Sequence, residues 1–330
     1  MQMKGLALVG ALLMAPGVPM AQSPEDPEVQ RTSWGAPDLR GVWDFRTLTP
    51  LERPRNLEGK ASFTDEEAAE FERRAIERRA TDGARDRSVH AYWWLDFGIE
   101  VNEDRRTSLI SDPPDGRIPP LTSAAREAVR APRRHPITQP LVLEGGANGP
   151  EDRGLAARCI IGCSSGPPIV PSAYNNILQV FQTPDHVVIF TEMVHEARIV
   201  PLGNGPRLAP TIRQWLGDSR GHWEGETLVV ETTNLTDRAS FSGNLTAKGA
   251  SGATYRVVER LTRVNADRLV YEFTVEDPTW WARPWTAAIP MRRTAEQVYE
   301  YACHEGNYGM FNILSGSRAD DQASEEAEDR

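Results

Sequence analysis

Residues 191–198, TEMVHEAR, hold one histidine between two carboxylates and close to an arginine. In a regular strand Glu192, Glu196 and Arg198 would share one face, and His195 would point to the other. A bulge between them would bring His195 beside a carboxylate, the usual pair for proton transfer near neutral pH. We therefore expect His195 to be the general base or acid, with Glu192 assisting it. The alternative is a surface strand with alternating charges and a partly buried histidine.

Residues 215–234, WLGDSRGHWEGETLVVETTN, crowd ionisable side chains into a tight turn directly before a strand. In the turn predicted at 217–221, Asp218 can cap its own backbone, and Arg220 can form a two-pronged pair with Asp218 or with a substrate carboxylate. One interpretation is a structural clamp. In the other, Asp218 and Arg220 face a cavity and orient the substrate, and His222 contributes to binding.

Three indoles fall within six residues of the proline-punctuated segment 277–285, DPTWWARPW. Such a loop would suit the mouth of a barrel that receives an aromatic or sugar ring. The alternative is that the tryptophans cover the end of the barrel. The expected substrate-binding residues are Tyr174, Asn176, His222, Trp280, Trp281, Trp285 and Tyr308.

A fourth polar segment, residues 301–308 with the sequence YACHEGNY, leaves the last predicted strand near a glycine. We expect His304 to be a second proton-transfer group. Its neighbour Glu305 would point to the opposite face of the strand, so the two side chains would not ligate one metal together. The thiol spacing CIIGC is not followed by a second CxxC or by HxxxH, so no metal is predicted.

The familiar motifs for bound cofactors do not occur in the sequence. It has no GxSxG, no HExxH, no glycine-rich phosphate loop and no dinucleotide fingerprint. We therefore predict no cofactor.

The overall charge argues against nucleic acid as a partner. The chain has 330 residues and a formal net charge of −10 at pH 7. It carries no lysine or arginine stripe that could follow a phosphate backbone. The arginine pairs at 73–79 alternate with glutamates, as on a solvated helical face. The expected partner is a small molecule, and the oligomeric state stays open.

The first 21 residues are typical of an export signal, with a lysine before a short apolar run and small residues at the end. The run is too short to span a bilayer, and no other segment approaches that length, so no membrane insertion is expected. We expect a periplasmic or secreted protein. Three cysteines allow at most one disulfide within the chain: Cys159 or Cys163 with Cys303 closes a long, entropically favoured loop, and Cys159 with Cys163 closes a very small one.

Hydrophobic patterning divides the chain after the signal into a helical and a β region. Helices are predicted over 64–79, which begins with a capping box of Thr64 and Glu67, and over 122–130. The predicted organisation is a flexible leader at 22–37, one β-barrel domain at 38–318 with a helical and loop insertion at about 60–171, and an acidic disordered tail at 319–330.

From residue 176 onward the sequence alternates like a β-meander. Strands are predicted over 176–182, 187–200, 212–215, 226–233, 254–264, 269–276 and 297–304, with earlier ones at 38–45 and 106–110. A barrel closes such a set without exposed edges. The predicted fold is therefore mainly β, an antiparallel lipocalin-like barrel with two short helices and long irregular N-terminal loops. The Gly-x-Trp at 41–43 resembles the first strand of lipocalin-like barrels, in which the tryptophan packs across the barrel floor.

Seven segments together resemble a family of exported, mostly uncharacterised bacterial proteins. They are DLRGVWDF, DPPDGRIPPLT, YNNILQVFQ, HEARIVPL, WLGDSRGHWEGETLVVET, LVYEFTVEDPTWW and YEYACHEGNYGMFNILSGSRA. The resemblance spans nearly all of the chain after the signal, and it implies export and a common fold but no reaction. One departure is that Tyr255 and Arg256 stand where the family pattern has a histidine, so any chemistry of that histidine would be lost or altered here.

The clustering of histidine, acid and arginine at strand ends beside a tryptophan-rich loop favours an enzyme. We expect an exported lyase, isomerase or hydrolase that uses side-chain acid–base catalysis on a ring-bearing substrate such as a phenolic or a glycoside. The first alternative is a non-catalytic lipocalin-like carrier of an apolar or aromatic ligand. The second is a structural envelope protein whose long connection at 131–171 docks a partner.

Overall fold

The structure is a computed structural model that describes residues 30–85, 96–130, 149–153, 155–162, 164–236 and 252–328. Within these ranges the chain forms ten strands and three α-helices. The strands are β1 (Gly41–Asp44), β2 (Ile110–Asp112), β3 (Ile177–Gln182), β4 (His186–Thr191), β5 (Glu196–Pro201), β6 (Asp218–Glu224), β7 (Thr227–Thr233), β8 (Arg256–Arg263), β9 (Arg268–Glu276) and β10 (Trp285–Arg293). The helices are α1 (Asp65–Arg85), α2 (Ser123–Arg130) and α3 (Tyr308–Glu328).

Nine of the strands form a nearly closed antiparallel barrel, as predicted. Their order is β5-β4-β3-β1-β10-β9-β8-β7-β6, and β2 pairs with β10 outside this path. The two terminal strands, β5 and β6, run parallel and meet at one bridge between Leu202 and Gly221. A Cβ atom at Gly221 would lie 2.8 Å from Leu202 Cδ2, so a larger residue here would require the Leu202 side chain to move.

Alternation along the strands places one face of each strand inside the barrel. In β8 and β9 every second residue is buried, and the interior is filled by one continuous apolar cluster. Trp43 is fully buried in this cluster and donates its indole N–H to the carbonyl oxygen of Leu39 at 2.9 Å. The guanidinium of the buried Arg263 lies 5.7 Å from the centre of the Trp43 ring. The first-strand tryptophan is thus part of the core, as expected for this type of barrel.

The strand predicted over 187–200 is wrong, because the structure divides it into β4 and β5. Residues Met193–His195 form a tight, non-helical turn between them. Val194 and His195 both adopt positive φ angles, 52° and 43°. The segment contains neither glycine nor proline, the usual residues of such turns, so its composition gives no sign of the break.

Three further strand predictions and one turn prediction are wrong. Residues 212–215 and 297–304 form no strand, and the strand predicted over 106–110 lies instead at 110–112, as β2. Residues 218–221, predicted as a turn, open strand β6. Strand β10 was not predicted, because it begins in the tryptophan-rich segment and contains Pro290. This proline lies between the residues of β10 that pair with β2 and those that pair with β1, so its missing N–H breaks neither pairing.

The helices begin where the sequence predicts them. Thr64 and Glu67 exchange hydrogen bonds at 2.8 Å and 3.3 Å, which is the capping box expected before α1. Thr122 Oγ1 accepts the N–H of Ala125 at 3.1 Å and caps α2. The predicted disordered tail is wrong as far as Glu328, because α3 extends to that residue. Its last turns alternate small and acidic side chains, which helices tolerate when they are solvated.

One disulfide joins Cys159 to Cys303, with Cα atoms 5.6 Å apart. This is one of the two long-range pairings that the sequence left open, and Cys163 lies outside the described residues. The signal and the first half of the leader also lie outside them, whereas residues 31–37 form a turn closed by a bridge between Arg31 and Pro37. None of the described helices has the length and apolarity needed to span a membrane.

Candidate functional site

Each of the nine barrel strands has one end at what is here called the upper end. Since neighbouring strands are antiparallel, the first residues of β3, β5, β6, β8 and β10 lie on the same side as the last residues of β1, β4, β7 and β9. Three of the four polar segments of the sequence, at 191–198, 215–221 and 277–285, are therefore at this end. The fourth joins them through a contact of 2.9 Å between His195 Nδ1 and the carbonyl oxygen of Tyr301.

Inside the barrel, three polar side chains from three strands meet in an otherwise apolar core. Arg198 of β5 forms a two-pronged ion pair with Glu259 of β8, and its second contact measures 2.7 Å. Tyr271 of β9 donates its hydroxyl hydrogen to the same carboxylate at 2.6 Å. Glu259 is 0% exposed and Arg198 is 6% exposed, so the interaction is removed from water. Such an ion pair is stable only when its geometry satisfies both partners, as it does here.

The electrostatics of this network keep the tyrosine neutral and the arginine charged. Burial alone would lower the pKa of Arg198, but the charge of Glu259 outweighs it and the pKa is raised. Burial and the neighbouring Glu259 carboxylate raise the pKa of Tyr271 well above its usual value. Burial, Glu259 and Asp277 do the same for Tyr255, which is also fully enclosed. Tyr255 is thus electrostatically linked to both Glu259 and Asp277, which extends the polar interior from β5 to the end of β9.

Glu196 lies at the rim of this network. It shares the inner face of β5 with Arg198 but is only half-buried. Burial raises the pKa of Glu196, although the charges of His195 and Arg198 oppose the shift. A carboxyl group with a raised pKa and access to solvent keeps its proton to a higher pH than a free glutamic acid and can act as a proton donor.

The predicted pair of His195 and Glu192 is not formed by the described contacts. Glu192 is buried and accepts the backbone N–H of Tyr299 at 3.0 Å. His195 is exposed, and since its Nδ1 faces the carbonyl oxygen of Tyr301, Nδ1 carries the hydrogen. The carboxyl group whose pKa the charge of His195 lowers is that of Glu196. The turn at 193–195, rather than a bulge, is what brings histidine and carboxylate together.

Asp218 and Arg220 form the structural clamp that was the alternative interpretation. Their side chains pair at 2.9 Å on the outer face of β6. Asp218 accepts the N–H of Leu208 at 3.0 Å, and Arg220 donates to the carbonyl oxygen of Pro206 at 2.7 Å. The pair therefore holds the loop after β5 against the barrel wall instead of facing the interior.

Three other predicted residues lie on the surface. His222 points outward from β6 and contacts Glu224 at 3.1 Å, which also pairs with Arg260. His304 is exposed in the turn before α3, and Tyr308 at the start of α3 is 73% exposed. None of the described contacts joins these side chains to the network of Arg198, Glu259 and Tyr271, here called the upper-end network.

The tryptophan-rich segment is divided between core and rim. Trp281 and Trp285 are buried and pack edge to face, with ring centres 5.9 Å apart, and Trp280 packs partly buried against the core. Trp281 and Trp285 therefore fit the alternative interpretation, in which the tryptophans cover the end of the barrel. Among the described residues, Trp280 Nε1, Trp285 Nε1 and Asp277 Oδ2 are buried without a hydrogen-bond partner. Each such atom costs about 1–3 kcal/mol unless another molecule satisfies it.

The two remaining predicted residues lie in the segment before β3. Asn176 is fully buried and holds the turn that leads into β3, accepting from the N–H of Ser172 at 2.7 Å and donating to its carbonyl oxygen at 2.8 Å. Asn176 is therefore a structural residue. Tyr174 stacks on Tyr301, with ring centres 6.4 Å apart. This aromatic pair adjoins the His195 contact at the upper end.

Residues 155–162 and 164–172 lie against the upper end. The backbone N–H of Ile169 donates to the Tyr271 hydroxyl at 2.9 Å, so this segment contacts the buried network directly. The disulfide from Cys159 to Cys303 ties it to the chain before α3. Leu155 and Ile161 form a small apolar cluster with the residues just before β6. The network therefore lies beneath a covalently fixed cover.

Sequence reasoning missed Glu259, Tyr271, Tyr255 and Asp277 as site residues, and it gave Glu196 no role. A signal for Glu259 exists in the pattern: it occupies an inward position of β8, between Val257 and Leu261, which are both fully buried. Nothing in the sequence shows that Arg198 pairs with it. Within the described ranges, no group of three or more His, Cys, Asp or Glu side chains is arranged to hold a metal ion.

The comparisons with known proteins do not assign the chain to a family. No protein-family model matches the chain, and no curated protein matches it.

Proposed function

We propose that the protein is an exported small-molecule enzyme that uses side-chain acid–base catalysis at the upper end of its barrel. The observation that carries the proposal is Glu196, a half-buried carboxyl group whose pKa is raised by burial. It borders the fully buried network of Arg198, Glu259 and Tyr271. A purely structural strand end would be expected to carry apolar or freely solvated side chains at this position.

In this proposal Glu196 is the proton donor. Its raised pKa keeps it protonated to a higher pH than a free glutamic acid, so it can protonate a leaving oxygen or an enolate. The carboxylate that remains is stabilised by the charge of Arg198, which Glu259 holds in place. His195 lies at the solvent side, and its Nε2 can return a proton from water to Glu196. The reaction classes consistent with these roles are lyase, isomerase and hydrolase.

The proposed substrate carries a ring with polar substituents, such as a phenolic or a glycoside. The stacked pair of Tyr174 and Tyr301 offers an aromatic surface near His195. The three unpaired atoms of Asp277, Trp280 and Trp285 supply one acceptor and two donors at the same end of the barrel. Hydroxyl groups on a ring could satisfy both kinds of atom.

A lipocalin-like carrier has less support, because it needs an empty apolar interior. The described interior is instead packed with large side chains, among them Trp43, Tyr271 and Phe273, which are all fully buried. A carrier would also have no use for a buried Arg–Glu–Tyr network.

The test is a screen of the purified protein against phenolic and glycoside libraries, read by mass spectrometry. We expect at least one compound to be converted, and we expect E196Q to lower the conversion by about 10²-fold or more, as for loss of a general acid. E224Q is the matched control, since Glu224 lies on the outer face of β6, and it should convert the compound normally. Retention of a compound without conversion would favour the carrier, and normal conversion by folded E196Q would refute the role of Glu196.

A further inference from the structure

A second cleft lies outside the barrel, where the loop at 96–103 faces the outer sides of β1, β9 and β10. Its volume is about 320 Å³, within the usual range of small-molecule sites. It is separate from the upper-end network, because Arg268, Pro290 and Arg292 point away from the barrel interior. Charged side chains of both signs line it: Asp44, Arg46, Asp96, Glu100, Glu103, Arg268 and Arg292.

One side of the cleft gathers positive charge. Arg268 and Arg292 are direct cross-strand neighbours on β9 and β10. Burial lowers the pKa of Arg268, and the positive charge of Arg292 lowers it further. Both arginines share Glu103, with contacts of 3.2 Å from Arg268 Nε and 3.6 Å from Arg292. Glu103 contacts both guanidinium groups and Glu100 contacts Arg292, which leaves some of their N–H donors available for a further anionic group.

The same cleft contains a buried donor without a partner. Asn102 lines the cleft and is only 6% exposed. Its backbone N–H donates to Thr49 Oγ1 at 2.9 Å, which fixes the residue in place. Among the described residues, its side-chain nitrogen Nδ2 has no hydrogen-bond acceptor. A buried amide donor without an acceptor is unfavourable, so this nitrogen indicates a ligand that brings an acceptor.

Carboxylates dominate the other side. Asp44 and Asp96 both contact Arg46, with Asp96 at 3.0 Å, and Glu100 contacts Arg292 at 2.9 Å. The side chains of Asp96 and Glu100 remain about half exposed, at 48% and 54%. They can therefore accept hydrogen bonds from a cationic group without a change in the backbone.

We propose that this cleft binds a small zwitterion with a carboxylate and an ammonium group, namely an amino acid or a short peptide. The carboxylate accepts from Asn102 Nδ2 and from Arg292, and the ammonium group donates to Asp96 or Glu100. A ligand with only a negative charge would be repelled by the carboxylates, and a ligand with only a positive charge would be repelled by the two arginines. Only a ligand with both charges compensates both sides. The proposal is independent of the acid–base function, since it uses none of the same residues.

Calorimetric titration of the purified full-length protein tests this site. The probes are alanine and dialanine as zwitterions, acetate as the anion alone and ethylamine as the cation alone. We expect the zwitterions to bind at least tenfold more tightly than either single-charge probe. Equal binding of acetate or ethylamine, or no binding of either zwitterion at millimolar concentration, would overturn the proposal.

Two variants locate the binding. R292Q should weaken zwitterion binding at least tenfold, and N102D should do the same, because it replaces the amide donor with a carboxylate that repels the ligand. The control is R260Q, which removes an outward arginine of β8 that pairs with Glu224 instead of lining the cleft. Unchanged affinity in folded R292Q would refute the site even if N102D failed to fold, and an equal loss in R260Q would also refute it.

Discussion

Glu196 and Arg198 lie side by side on the inner face of β5, one at the rim of the barrel and the other buried against Glu259. The positive charge of Arg198 opposes the effect of burial on Glu196, yet the pKa of Glu196 is still raised. Strand β5 thus carries a carboxyl group with a raised pKa. Two residues further on it carries a guanidinium group, which stabilises the carboxylate that remains when the proton is lost. This relationship gives the upper end of the barrel its proposed chemistry.

The raised pKa of Glu196 makes stability depend on pH. The folded protein binds this proton more tightly than the unfolded chain, in which glutamate has a pKa of about 4.3. Stability should therefore rise as the pH falls through the raised folded pKa and level off near the unfolded value. The effect should be absent in E196Q. The check is the free energy of urea unfolding measured from pH 8 to pH 4 for both proteins, and parallel curves would contradict the prediction.

Removing either Arg198 or Glu259 from their ion pair should strongly lower the free energy of unfolding. Removing one partner leaves the other charge buried and unpaired, so R198A and E259A should each lose about 3–5 kcal/mol of unfolding free energy. The double replacement R198M/E259L should lose less than the sum of the single changes, because it leaves no charge uncompensated.

An exposed pair supplies the reference for this measurement. Arg260 and Glu224 contact each other at 2.9 Å on the outer wall, where both side chains are more than a third exposed. R260A should cost only about 0–1 kcal/mol. A loss of similar size in R198A and R260A, measured by denaturant unfolding, would mean that the interior pair is not enclosed as described.

The disulfide between Cys159 and Cys303 should stabilise the cover of the upper end. It links positions 144 residues apart, so it restricts the unfolded chain strongly. Loss of the bond in C159S/C303S should lower the free energy of unfolding by about 2–5 kcal/mol. C163S is the control and should retain the bond when tryptic peptides are mapped without reduction. Loss of the disulfide in C163S would show that the pairing is different.

Strand alternation predicted β7, β8 and β9 closely, because each has an apolar face in the core and a polar face in water. It failed at β6, since the sequence GDSRG has the composition of a turn although Asp218 and Arg220 lie in a strand. The glycine at 221 leaves room for the side chain of Leu202, which is distant in sequence. Such contacts depend on how the barrel closes and leave no local pattern.

The candidate site was predictable only as a location. Polar strand ends indicated one end of the barrel, and the strand order confirms that they lie there. The roles of the individual residues were not predictable, because Asp218 turns outward to hold a loop and Glu259 turns inward to meet Arg198. Which face of a strand a charged residue occupies follows from register, and a break such as the turn at 193–195 changes that register without a sequence signal.

The pH dependence of turnover tests the central claim most directly, with the compound that the library screen identifies as substrate. If Glu196 is the proton donor, kcat/KM of the wild-type protein falls as the pH rises through the raised pKa of Glu196. E196Q then has little activity and lacks this pH dependence, whereas E224Q follows the wild type. A folded E196Q protein with the wild-type rate and pH profile would contradict the claim.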